Sequence, residues 1–152
     1  MPFPAFDFCL ICDGVRPEIG GKLTILGFFG AAPNVEIVVT NPAAPVTVGL
    51  VAGFPPVADL QTVYNHSFVI TKPDRTVLQR TPLTRLNISP NGRGLVVFGF
   101  IIPPPIVFGS YSIRILVNDE AKLDTSIRVR QATPAELAGL GIAPPPVVGR
   151  PN

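Results

Sequence analysis

The sequence predicts an all-β fold, and three observations carry that reading. Apolar residues recur with a period of two along most of the chain, the spacing of a strand buried on one side. Turn signals built from Gly, Pro, Asn and Asp interrupt them roughly every eight to twelve residues. Of 152 residues, 47% are hydrophobic and 14% charged, well under the ~25% charge of an average soluble domain. Strands of this number and spacing predict an antiparallel immunoglobulin-like β-sandwich of about eight to nine strands. A chain of this length is one domain that buries about 70% of its unfolded surface.

Taken in order, Phe6, Phe8, Leu10 and Cys12 share one face of a first strand. Leu23, Ile25, Gly27 and Phe29 share a face of the second, which leaves Leu26 and Phe28 on its outward side. Val35, Ile37 and Val39 make a short third strand. Val46, Val48, Leu50, Ala52 and Phe54 make a fourth, with Thr47 and Gly49 opposite. Tyr64, His66, Phe68 and Ile70 alternate with Asn65 and Ser67 in a fifth.

Lys72-Pro73-Asp74-Arg75 then reads as a turn, because proline presets the second position and Asp suits the third. Short β segments near Val77 and over residues 86–88 follow, and Ser89-Pro90-Asn91-Gly92 turns the chain again. Residues 95–102 are apolar on both faces, which predicts a central strand covered on both sides. The last hairpin alternates most regularly. Tyr111, Ile113, Ile115 and Val117 point one way, residues 118–121 turn, and Leu123, Thr125, Ile127 and Val129 return inward. A slip of one residue would bury Lys122, Asp124, Ser126, Arg128 and Arg130 together, so register is tightly set.

The sandwich domain is therefore assigned to residues 1–130, and residues 131–152 to a helix and a proline-rich arm. Thr133-Pro134-Ala135-Glu136 is a capping box with proline at the first helical position. It predicts a short helix to about Leu140, stopped by Gly139 or Gly141. Residues 143–147 are predicted to run as polyproline II.

Charge excludes several functions. The formal net charge is +2, and Arg75, Arg80, Arg85 and Arg93 are spread out without interleaved aromatics, unlike a nucleic-acid footprint. Met1 is followed by Pro2-Phe3-Pro4, with no basic region and apolar core of a secretory signal. Residues 37–58 and 94–113 carry no charge, but prolines break both, so strand–turn–strand is expected in place of a membrane helix. A cytoplasmic location with no membrane partner is expected.

Catalytic groups are scarce. Cys9 and Cys12 are spaced as a CxxC, but on a strand residues three apart point to opposite faces, ~10 Å apart, too far for a disulfide. They are expected as buried free thiols, in keeping with a reducing compartment. His66 is the single imidazole and is expected in the core or an interface, since no nucleophile–carboxylate set accompanies it. No phosphate-loop, zinc-protease, nucleophile-elbow or dinucleotide pattern is present. No catalytic residue, metal or cofactor is assigned, and the chain is expected not to be an enzyme.

The densest charged cluster is Asp13, Arg16, Glu18 and Lys22, set among Gly14, Gly20 and Gly21. These residues suit a paired network closing the first hairpin, or a partner or ligand site. The same stretch, Cys12-Asp13-Gly14-Val15-Arg16, then Glu18, then residues 21–30 reading Gly-Lys-Leu-Thr-Ile-Leu-Gly-Phe-Phe-Gly, resembles a bacterial family of small uncharacterised β-sandwich proteins. The resemblance spans residues 9–30, with echoes at Lys72-Pro73-Asp74 and Gly109-Ser110-Tyr111. It implies the sandwich fold and brings no activity with it. Gly14, where the family favours a second acidic or polar residue, and the proline-rich tail depart from the pattern.

Function is thus expected to be structural: a subunit that self-assembles as a homo-oligomer or docks into a larger protein particle. Leu26, Phe28 and the tail residues Pro144, Pro145, Pro146, Val147 and Val148 are the expected contacts. The alternative is a ligand-binding sandwich with its site near the loop from Asp13 to Glu18. Phe28, Phe29, Phe54 and Phe100 are candidates to line it.

Overall fold

Period-two alternation builds two sheets that face each other across a shared core. The structure, a computed structural model, describes residues 2–20 and 22–143. In chain order the strands are β1 (Phe8–Pro17), β2 (Leu23–Ala31), β3 (Val35–Val39), β4 (Val46–Phe54), β5 (Asn65–Thr71), β6 (Val77–Arg80), β7 (Thr84–Arg85), β8 (Gly94–Ile102), β9 (Gly109–Val117) and β10 (Glu120–Gln131). A helix, α1 (Pro134–Gly139), follows. One sheet has the order β2-β1-β4-β8; the other runs β3-β10-β9-β5-β6, with β7 also on β5. All pairings are antiparallel except β3 with β10.

The inward rows of β3, β4, β9 and β10 are those expected from alternation, whereas β1 turns Cys9 and Ile11 inward and β8 is buried on one side alone. Val48, Leu50, Ala52 and Phe54 of β4 and Val96, Phe100 and Ile102 of β8 are buried against Phe68, Ile70, Tyr111, Ile113, Ile115, Val117, Ile127 and Val129 of the opposite sheet. Phe98 of β8 stacks on Phe68 of β5, with centroids 4.3 Å apart, and ties the two sheets together. Such a pair adds about 0.5–1.5 kcal/mol beyond the area it buries. Phe6 lies just before β1, where its ring meets Phe54 edge-on, with Phe3 wedged between Phe54 and Tyr64.

The connections define the strand order. The chain crosses between sheets from β4 to β5 and again from β8 to β9, and β9 returns as a hairpin to β10. That is the B–C, E–F and F–G arrangement of an immunoglobulin-like sandwich, with β1 beside β4 as the first strand. Tyr111, near the start of β9, donates its hydroxyl to the Val107 carbonyl at 2.7 Å. This is the tyrosine corner expected at the start of strand F. Two residues on, where antibody domains carry a cysteine, stands the fully buried Ile113.

The turns follow their sequences. Asn118 and Asp119 both have positive φ, 47° and 66°, as a two-residue type I′ hairpin turn requires. Arg75 N–H bonds to Lys72 O and Gly92 N–H to Ser89 O, closing the two proline turns. At α1, Thr133 Oγ1 accepts from Glu136 N–H while Glu136 Oε2 accepts from Thr133 N–H, so the capping box forms. Gly141 (φ 71°) then ends the helix with bonds from Gly141 N–H to Ala138 O and from Ile142 N–H to Leu137 O, the Schellman arrangement.

Two expectations change, and a third is untested. Residues 95–102 form an edge strand, because among the described residues β8 has β4 on one side and no strand on the other. Its outward residues are apolar because they form an exposed face. The short segment expected at residues 86–88 is shifted to Thr84–Arg85, after which Leu86 turns inward and bonds Tyr64 O through its N–H. The polyproline segment lies outside the described residues beyond Ala143.

Candidate functional site: an uncharged sheet face

The outward side of the four-stranded sheet is built by simple alternation. On β1, Cys9 and Ile11 enter the core, so Phe8, Leu10 and Cys12 point away from it. Residues directly opposite each other on paired strands share a side. Phe8, Gly53 and Leu95 therefore form one rung across β1, β4 and β8; Leu10, Val51 and Val97 form the next. Phe28, Cys12, Gly49 and Gly99 form a third, and Thr47 with Ile101 a fourth. Leu26, opposite Gly14, continues the row where the β1–β2 hairpin separates from β4.

No residue of these rungs is charged. Phe28 is 60% exposed, Ile101 56%, Leu95 48% and Leu26 48%. Glycine flattens the face. A Cβ on Gly49 would sit 2.9 Å from Cys12 Sγ and 3.1 Å from Gly14 Cα, and one on Gly53 would strike the Phe8 ring. The neighbouring side chains therefore lie flat across β4, and Val51 is buried beneath them. These fourteen residues, on strands ~4.8 Å apart and ~6.8 Å per two-residue step, give a footprint of roughly 450 Å². Monomeric proteins seldom leave larger apolar patches exposed than about 300–600 Å².

The thiols are inert. Cys9 and Cys12 are free, buried and on opposite faces of β1, as expected. Burial pushes the Cys9 thiol up to about 12. Burial also raises Cys12, whose thiol donates to Gly14 O at 3.3 Å.

The charged cluster divides. Arg16 Nε and Thr24 Oγ1 both donate to Glu18 Oε1, at 2.7 and 2.8 Å. The Arg16 bond, then the Thr24 bond, hold the Glu18 carboxyl below its usual range. Lys22 joins through its backbone, its carbonyl accepting from Glu18 N–H, and its ammonium forms no ion pair among the described residues. Asp13 stands apart from all three, over Gly27, whose φ of 57° and missing Cβ make room for the carboxylate. A cleft of about 500 Å³ opens there, between Asp13 and Phe29 on one wall and Val39, Asn41 and Val46 on the others. Asp13 is its one charged lining residue among the described residues; Arg16, Glu18 and Lys22 lie outside it. Of the four phenylalanines, Phe54 and Phe100 are core, Phe28 is exposed and Phe29 alone lines this cleft.

His66 packs edge-on against Phe68, with centroids 5.5 Å apart. Burial lowers its pKa, partly offset by a bond to the Thr84 backbone, and Nδ1 is enclosed without a partner among the described residues. No carboxylate bonds it among the described residues. No helix among the described residues is long and apolar enough to cross a membrane.

Leu26 and Phe28 were legible as outward residues; Phe8, Leu10, Leu95, Val97 and Ile101 were not read as their neighbours. The signal was in the sequence: on β8 the residues between the core positions are Leu, Val, Gly and Ile. The expected tail contacts, Pro144 to Val148, lie outside the described residues.

No protein-family model and no curated protein matches the chain. Among solved structures, the chain is similar to an immunoglobulin-like protein from Pseudomonas aeruginosa, at 15% identity over 79% of this chain and 91% of that one, with a TM-score of 0.41. It is also similar to an alkylpurine DNA glycosylase from Pseudomonas fluorescens bound to DNA containing an abasic-site analogue. There the identity is 12%, over 62% of this chain and 27% of the glycosylase, with a TM-score of 0.43.

Proposed function

We propose that this protein is a non-enzymatic interaction module, a β-sandwich subunit that docks onto protein through the outer face of its four-stranded sheet. The observation that carries this reading is four successive rungs of uncharged, largely apolar residues from β1, β4 and β8, extended by Phe28 and Leu26. Exposed faces of this size commonly mark partner surfaces. Binding to nucleic acid or to a membrane is not part of the reading. His66, turned into the protein against Phe68, supports a non-catalytic role. Two buried free thiols support a reducing, cytoplasmic setting.

Fluorescence of the apolar dye anilinonaphthalene sulfonate on the native, dilute protein tests the face. Dye binding is expected, and expected to fall several-fold in Leu95→Lys/Ile101→Lys while Val77→Lys on β6 leaves it unchanged. All three positions are exposed, so circular dichroism should be unaltered. Absent dye binding, or binding indifferent to the double variant, would refute the docking face.

A further inference from the structure

We infer that the occupant of this face is a second copy of the same chain, packed sheet against sheet about a two-fold axis. The inference rests on the docking reading above and adds the partner.

Three features favour a like partner. The rungs contain no charge, and the polar atoms on them are only the Thr47 hydroxyl and the Cys12 thiol, the latter already bonded to Gly14 O. A covering surface must therefore be equally apolar, and the chain carries such a surface itself. Area is the second feature. Two footprints of roughly 450 Å² remove about 900 Å² from water, at the low end for a specific interface, so a reversible dimer is expected. Shape is the third. Gly49 and Gly53 flatten the centre of the face, and flat sheet faces pack about 10 Å apart with strands within ~30°. An isologous two-fold contact closes on itself, so a dimer is the expected product. A lipid surface fits less well. The chain has no tryptophan, and the rungs carry neither the Lys/Arg nor the Tyr of an interfacial membrane face.

Sedimentation of the full chain from roughly 1 to 100 µM, run beside the dye assay and amide exchange, tests this. A dimer is expected whose formation suppresses dye binding. Leu95→Lys and Phe28→Asp should each weaken it at least tenfold, and Val77→Lys should leave it intact. A wild-type monomer that still binds dye through Leu95 and Ile101 would overturn the second copy while leaving the docking face standing. A monomer without dye binding would overturn both. A dimer indifferent to Leu95→Lys and Phe28→Asp, or one that newly protects the free-edge amides of β8, would show edge pairing and overturn the face-to-face contact. Flotation of monomer with phosphatidylcholine vesicles, lost in Leu95→Lys, would assign the face to lipid.

Discussion

The two sheets share one core and have opposite exteriors. Outside the five main strands of the second sheet, Arg114 pairs with Asp124 at 2.9 Å, and Glu36 takes Arg130 at 2.8 Å and Arg128 at 3.9 Å. Ser110, Ser112 and Ser126 fill the positions between. Outside the four-stranded sheet, the matching positions hold Phe8, Leu10, Val51, Leu95, Val97 and Ile101. Exposed ion pairs contribute only about 0–1 kcal/mol each, so the charged exterior does little for stability. It keeps one face in water and makes a register slip costly. The uncharged exterior lacks that protection over nine regular pairs between β4 and β8.

The largest test of this contrast compares isoleucines on inner and outer rows. Ile127→Ala, at a fully buried position, should cost about 2–5 kcal/mol in urea denaturation. Ile101→Ala, measured at concentrations that keep the chain monomeric, should stay within about 0.5 kcal/mol. If Ile101→Ala costs as much as Ile127→Ala, the outer face is covered from within the chain and the contrast fails.

A smaller effect sharpens the picture of how the face is built. Gly49 and Gly99 are direct partners on β4 and β8, yet their surroundings differ. A methyl at Gly49 meets Cys12 Sγ and the Gly14 backbone, whereas one at Gly99 finds only Val48 O, at 3.8 Å. Gly49→Ala should therefore destabilise by about 1–3 kcal/mol through overpacking. Gly99→Ala should be stabilising by about 0.4–1 kcal/mol, because it restricts the unfolded chain without strain. Equal effects at the two positions would mean that the β1–β2 hairpin does not press on β4 as described.

The same contrast explains what was legible in the sequence. Where one side of a strand is charged, alternation names the buried side without ambiguity, and β3, β9 and β10 follow it. Val35, Ile37, Val39, Tyr111, Ile113, Ile115, Val117, Ile127 and Val129 all lie inside. Local chemistry read equally well, as the Thr133–Glu136 capping box and the two proline turns show. Where both sides are apolar, periodicity cannot tell a strand covered twice from a strand covered once, and β8 fell on the wrong side of that choice. Charge proximity along the chain also misled. Asp13 and Arg16 are close in sequence, but they lie on opposite sides of β1, so Asp13 enters the cleft and Arg16 turns to Glu18. The pairing of β3 with β10 joins residues over ninety positions apart, visible in the bond from Arg130 Nε to Glu36 Oε1, and no local pattern announces it.

The smallest effect concerns pH, where the two exteriors should diverge. Glu136 is held by both terminal nitrogens of Arg130, at 2.8 and 2.7 Å, and by Thr133 N–H at 2.7 Å. The Arg130 bonds, then the Thr133 backbone bond, bring its carboxyl down to about 2 from an ordinary 4.5. Because the folded value is depressed, the native state favours the ionised form. The stabilisation is complete above pH 4.5 and is lost as pH falls through 2. Glu136 is solvent-accessible, so the change should be local to α1. A carboxyl-carbon NMR titration should give Glu136 a midpoint near 2, and Arg130→Gln should return it toward the ordinary value. A wild-type midpoint near 4.5 would mean that Arg130 does not clamp α1 to β10. The four-stranded face has no group among its rungs that titrates between about pH 4 and 8, so association through it should be flat over that range. A dimer that dissociates as carboxylates protonate would instead place the contact on the charged sheet, where Glu36, Asp124 and Glu136 lie, or at the β1–β2 hairpin beside Asp13 and Glu18.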